Sequence, residues 1–250
     1  MDLAAFARFG IVLVRPGALL LMAPGFGGQT VPMLTRVALT VLLALSLAPL
    51  VTMPAGPDAG IALTVARESA IGLALGMTAR ALMAGAELAG HLCSQQIGFS
   101  YAATVNPDGG ARNTMLATLY GLVAAVAWLG INGHHLLLRA LASSYESLPI
   151  GGGGIDPSLV VAIREILGVV FVTGIRLASP VISVLLLVEV ALGLISRTVP
   201  SLHALVVGTS VRLAVGLGVA AITLAAVPGL TRTLAERVIA LGASLAAGFR

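Results

Sequence analysis

The sequence predicts an all-α fold of hydrophobic helical hairpins, with kinked and broken helices, and three observations predict it. First, 58% of the 250 residues are hydrophobic and only 10% are charged, with a mean hydropathy of +1.05. A soluble domain carries about 25% charged residues and needs polar cover over its surface. Second, apolar segments long enough to cross a bilayer as helices, roughly 20 residues each, recur along the chain. Third, short clusters rich in Pro, Gly, Asn and Asp separate them, as turns between helices do. Aromatic residues make up only 4%, so the apolar content is Leu, Val, Ala and Ile, with 30 Gly residues to permit close helix approach.

The apolar segments run over 4–23, 33–53, 61–99, 114–142, 159–199 and 202–227. The punctuation is "APGFGGQTVP" at 23–32, "MPAGPDAG" at 53–60, "NPDGGARN" at 106–113, "SLPIGGGGIDPS" at 147–158 and "PG" at 228–229. Segments 61–99 and 159–199 exceed one span and are expected to bend or to form helical pairs. Pro180 lies inside the second, where it removes a hydrogen bond and favours a kink. Asp156 followed by Pro157 reads as an N-cap and first helical residue. No repeat of fixed period is present. The glycine run 151–154 divides a single membrane-type domain, 1–250, into halves 1–150 and 151–250.

Charges interrupt this pattern. Arg15, Arg36, Arg67, Arg80, Glu87, Arg139, Arg176, Glu189, Arg197 and Arg212 lie in or at the ends of apolar segments. An arginine at mid-depth in a bilayer costs about 2.5–3.5 kcal/mol even on a lenient scale. Arg80, Ala84, Glu87, His91 and Gln95 are spaced by three and four, so one helix face carries them all. Glu189 and Ser196 share a face, with Arg197 about 80° away. Such faces turn towards water, towards a neighbouring helix, or into a polar conduit. "GLALG" at 72–76 is a Gly-x-x-x-Gly pattern, which marks a helix contact or arises by chance in a glycine-rich chain.

Several function classes receive no support. The net charge of +4 and pI near 10.2 come from fourteen scattered arginines with no lysine and no basic run, so nucleic acid is not an expected partner. One cysteine, Cys93, excludes an internal disulfide and a cysteine-based metal cluster. His134 and His135 are adjacent and point about 100° apart on a helix, unlike a metal-binding pair. His91 and His203 are isolated. A Walker lysine is impossible. The N-terminus, "MDLAAFARFG", lacks the basic stretch of a cleavable signal peptide, so the first apolar segment is expected in the mature protein. No catalytic residue, cofactor or metal ligand is expected.

The stretch "GIRLASPVISVLLLVEVALGLISRTVPSLHALVVG" at 174–208 resembles the signature region of the FliR family of flagellar biosynthetic proteins. "RPGALLLMAPGFGGQTVPMLTRVALTVLLALSLAP" at 15–49 resembles the family's N-terminal Arg, two prolines and Arg-led helix. "GFSYAATVNPDG" at 98–109 resembles its central loop, and "NGHHLLLRALASSYESLPIG" at 132–151 resembles the segment where Asn-Gly-His opens a helix. Injectisome proteins share the plan, and "LISRTVP" leans flagellar.

The resemblance implies a non-enzymatic export-gate subunit of a type III secretion system, in the bacterial inner membrane at the flagellar basal body. It implies assembly with FliP- and FliQ-like subunits into a helical funnel through which unfolded substrates pass, served by FlhA- and FlhB-like proteins and bounded by lipid. It also implies roles for residues. Thr104, Val105, Asn106, Pro107, Asp108, Gly109, Gly110, Ala111, Arg112, Asn113, Thr114 and Met115 correspond to the loop that plugs the closed pore, here with small Thr104 and Val105 where bulkier groups often sit. Arg80, Glu87, Glu189, Arg197 and Arg212 are expected in polar contacts between subunits. Pro24, Pro32, Pro180 and Pro200 are expected at bends. A different class stays open on the residues alone, a small-molecule or ion secondary transporter using Glu87 and Glu189 as carriers.

Overall fold

The computed structural model describes residues 3–27, 31–51, 60–99, 114–150, 156–198 and 204–249. Within them the chain is helical: α1 (Leu3–Met22), α2 (Met33–Leu47) with a short 3₁₀ turn (Ala48–Leu50), α3 (Ile61–Ile97), α4 (Met115–Gly130), α5 (Gly133–Ser147), α6 (Ser158–Thr198) and α7 (Ala204–Ala247). No strand occurs among the described residues, so the all-α expectation holds.

The helices end where local chemistry demands it. Pro24 lies in the turn after α1, and Gly25 adopts φ +82°, a conformation that suits glycine. Pro32 occupies the N-cap of α2, with extended backbone that a proline supplies. Asn132 sits in the left-handed region at φ 57°, between α4 and α5. Asp156 accepts a 2.7 Å bond from the Ser158 backbone N–H, which is the N-cap read from the sequence. The terminus of α7 is tied down in turn: Arg67 donates to the Phe249 carbonyl at 2.9 Å, and the Asp156 N–H donates to the Gly248 carbonyl at 2.8 Å. A cation at a helix C-terminus satisfies exposed carbonyls and complements the helix dipole.

Two expectations are corrected. Segments 61–99 and 159–199 were expected to bend or to form helical pairs; they do not split into pairs, since α3 is one continuous helix of 37 residues and α6 one of 41, running through Pro180. "PG" at 228–229 was expected to be a turn, but α7 continues through Pro228 to Ala247. Beyond that proline Thr231, Ala235, Val238, Leu241 and Leu245 are all buried. Their spacing of three and four forms one helix face whose packing outweighs the lost hydrogen bond.

The chain forms two compact units, each built from separated stretches. One comprises Met1–Leu82, Trp128–Gly168 and Thr233–Arg250; the other comprises Met83–Ala127 and Val169–Arg232. The glycine run 151–154, Pro200, His203 and the loop from Thr104 to Asn113 lie outside the described residues.

Among the described residues three helices are long and apolar enough to cross a membrane, or four if α4 and α5 together make one broken crossing. Their surroundings differ. The apolar stretch of α3 is 67% buried, against 17% for α6 and 22% for α7. Thus most of the apolar stretch of α3 is covered by the chain itself, whereas α6 and α7 expose apolar side chains, including Phe171, Leu187, Val190, Leu194 and Ile222.

Candidate functional site

The first unit contains an ion pair with no access to solvent. Its cause is the Gly-x-x-x-Gly of α3. A β-carbon on Gly72 would collide with the Arg15 carbonyl and sit 2.8 Å from the Ala18 β-carbon. One on Gly76 would lie 2.7 Å from the Leu19 carbonyl and 2.8 Å from the Met22 β-carbon. The two glycines therefore let α1 approach the backbone of α3, so the pattern is a true helix contact. One turn before Gly72 stands Glu68, and the close crossing brings the Arg15 side chain onto it.

Arg15 and Glu68 are 0% and 1% exposed, and their pairing is bidentate. Arg15 Nε donates to Glu68 Oε2 at 2.7 Å, and Nη2 donates to Oε1 at 3.0 Å. The third nitrogen and a second Nη2 hydrogen bond as well: Nη1 donates to Ser144 Oγ at 3.0 Å, and Nη2 to the Leu148 carbonyl at 3.1 Å. The guanidinium carbon lies 4.2 Å from the centre of the Tyr145 ring, whose hydroxyl donates to the Val12 carbonyl at 3.1 Å. Arginine is suited to this role because its rigid fork matches a carboxylate and stacks on an aromatic face. The sequence reading placed Arg15 among the intramembrane charges but passed over Glu68.

The second unit contains a pair of another kind. Arg212 Nη2 on α7 lies 2.9 Å from Glu189 Oε1 on α6, and both side chains remain about one-third exposed, at 33% and 36%. Arg212 Nε is itself buried without a hydrogen-bond partner. Glu189 thus pairs within its own chain. Arg197, which the sequence placed on a nearby face, is exposed at the end of α6, while Ser196 Oγ bonds back to the Gly193 carbonyl.

The stripe of α3 keeps its one-sided character: Arg80 and Gln95 are exposed, and Ala84, Glu87 and His91 are half-buried. Glu87 packs over Gly121 of α4, where a β-carbon would lie 2.8 Å from its Cγ. Close by, Tyr120 is fully buried, with its hydroxyl donating to the Ala220 carbonyl at 3.0 Å and meeting Thr223 Oγ1. Cys93 is buried and behaves as a small hydrophobe. Of the expected closing loop, Thr114 and Met115 fall within the described residues. The Thr114 hydroxyl accepts from the Ala117 N–H at 3.4 Å at the start of α4, and Met115 is 85% exposed.

These arrangements are structural chemistry. Among the described residues, no group of three or more His, Cys, Asp or Glu could hold a metal. The His134 and His135 rings lie 4.3 Å apart and tilted, as neighbours on one turn must. What the geometry provides is a helical membrane-type scaffold that shelters one charge pair completely and leaves another half open on apolar helices.

That class has a family. Residues 6–238 match the model of bacterial export proteins, family 1, and the chain belongs to that family. Flagellar biosynthetic protein FliR of Pectobacterium carotovorum is 31% identical over 242 residues, 96% of this chain and 92% of the relative. FliR of Escherichia coli is 32% identical over 214 residues, 84% of this chain and 81% of the relative. Surface presentation of antigens protein SpaR of Salmonella typhimurium is 28% identical over 212 residues, 84% of this chain and 79% of the relative. The resemblance read from 174–208 and its companion blocks is met at the level of family.

Proposed function

We propose that this chain is a structural subunit of the flagellar type III protein export gate, forming part of the substrate-conducting channel with FliP- and FliQ-like subunits in the inner membrane. FlhA- and FlhB-like proteins are its neighbours, and unfolded proteins are what passes. The observation that carries the reading is the one-third-exposed Glu189–Arg212 pair on helices that also expose the large apolar side chains of Leu187, Val190, Leu194 and Ile222. Bulk lipid rejects such charges and water rejects such a surface, so the cover that suits both is protein. The near-full-length likeness to flagellar relatives supports the same assignment.

In this reading Arg80, Glu87, Glu189, Arg197 and Arg212 meet polar groups of neighbouring subunits, and Pro24, Pro32, Pro180 and Pro200 shape helices around the funnel. Residues Thr104 to Met115 close the resting pore. A transporter carrying ions on Glu87 and Glu189 has less support, because Glu189 is held by Arg212 and Glu87 is packed over Gly121.

The test is purification from native membranes in mild detergent with identification of the accompanying chains. FliP- and FliQ-like subunits should accompany this chain. A lone monomer, or an oligomer of this chain alone, overturns the proposal. Shortening 106–113 should leave assembly intact and raise ion leak through the resting complex; unchanged conductance removes the plug assignment.

A further inference from the structure

The dipeptide "PG" at 228–229 has the chemistry of a turn, yet both residues lie inside α7. Pro228 has no N–H to donate to the Leu224 carbonyl one turn earlier, and glycine is the poorest helix former after proline. Packing accounts for neither residue. Both are exposed, and a β-carbon on Gly229 would meet nothing within 4 Å. The least helix-forming pair in this 44-residue helix therefore stands just before α7 passes from the second unit into the first, between Arg232 and Thr233.

What keeps α7 helical across the pair is the docking of residues 233–249 within the first unit. Ala235, Val238, Leu241 and Leu245 are buried there. Gly242 brings the backbone so near α3 that a β-carbon would lie 2.9 Å from Thr78 Oγ1. Two bonds fasten the far end, from Arg67 to the Phe249 carbonyl and from the Asp156 N–H to the Gly248 carbonyl. The side towards α6 is fitted less closely. An open groove of about 460 Å³ runs between Ser158, Val161 and Glu165 of α6 and Arg237, Ala240 and Ser244 of α7.

A segment clamped along one side, open along another and preceded by a break-prone pair has the parts of a hinged element. We propose that residues 233–249 are a clasp on the first unit, hinged at Pro228–Gly229. Docked, the clasp keeps α7 one helix. Released, α7 breaks at the hinge and residues 233–249 leave α3, while the second unit stays folded. A helix of this length is marginal without a packed face, so the released clasp loses its backbone protection. The device does not depend on the export assignment.

Hydrogen exchange of the full-length chain in detergent, read by mass spectrometry of its peptides, tests this. Residues 229–249 are expected to exchange as one block, faster than 213–227, with a step at the hinge. Pro228→Ala together with Gly229→Ala restores the missing N–H and should slow the block by more than about fivefold, the factor that the Gly-to-Ala change in helix propensity gives by itself. Arg67→Ala removes the far fastening and should speed the block about tenfold, as loss of one charged hydrogen bond does. In both variants exchange over 213–227 should be unchanged, and Cys93, the chain's single thiol, buried in the second unit, should stay unreactive. A single rate along α7, or a smooth gradient of fraying with no step at 228, overturns the clasp. A block rate unchanged in the double alanine variant overturns the hinge, and labelling of Cys93 at the rate of the block overturns the independence of the second unit.

Discussion

Arg15–Glu68 and Glu189–Arg212 join the same two side-chain types within apolar helices, yet their settings are opposite. The first pair is bidentate, closed to solvent and completed by Ser144, the Leu148 carbonyl and Tyr145. The second rests on a single 2.9 Å contact, one-third exposed, with Arg212 Nε left over. A buried pair whose three guanidinium nitrogens are all hydrogen-bonded is finished within its own unit. The second pair stays one-third exposed, and under the proposed function it is this open side that a neighbouring subunit covers. The contrast between internal stability and external association follows from how completely each pair is enclosed.

Removing one member of the closed pair leaves an uncompensated buried charge, which costs about 3–5 kcal/mol. Arg15→Ala or Glu68→Ala should therefore lower the unfolding free energy of the purified chain by that amount in thermal or denaturant titration. The double variant Arg15→Met with Glu68→Leu should recover most of the loss, because an apolar replacement of similar volume is often neutral. Gly72→Val, which wedges α1 away from α3, should cost less, about 1–3 kcal/mol of overpacking in the same titration.

Arg212→Ala changes a partly exposed pair, whose intrinsic contribution is about 0–1 kcal/mol. Its effect on the isolated chain should be near the limit of measurement, while recovery of accompanying subunits from membranes falls several-fold. Arg197→Ala should act in the same direction. A large stability loss with normal co-purification would reverse the roles assigned to the two pairs.

The smallest effect belongs to Asp156. Its bond from the Ser158 N–H holds the carboxyl below the ordinary carboxylate range. A depressed folded-state value means the contribution is fully present above the unfolded pKa of about 3.9 and is lost as pH falls through the folded value. Asp156→Ala should lower the melting temperature slightly at neutral pH and make no difference in strong acid.

Helix content, the Asp156 cap and the one-sided stripe of α3 were readable because each rests on local spacing, whereas of the six segments read as long enough to cross, 33–53 ends as a helix at Leu47 and 114–142 is broken at Asn132. Glu68 was not readable. Adjacent to Arg67 near the start of a segment, it resembles an exposed charge at a helix end, and nothing in one dimension says which arginine meets which acid. The available signal was its place one turn before Gly72, on the face that a close helix contact buries. The continuation of α7 past Pro228 was missed because "TRTLAER" is polar on average, although Thr231, Ala235, Val238 and Leu241 form a buried stripe at helical spacing. The pairing of Glu189 with Arg212 rather than a nearer residue depends on how α6 meets α7, which no local spacing encodes.

The central claim is that protein, not acyl chains, covers the outward face of α6 beside Glu189. A photoreactive amino acid at Leu187, itself 69% exposed in the chain, measures this in native membranes. Discrete adducts to other subunits of the export apparatus are expected. Adducts to lipid alone would contradict it.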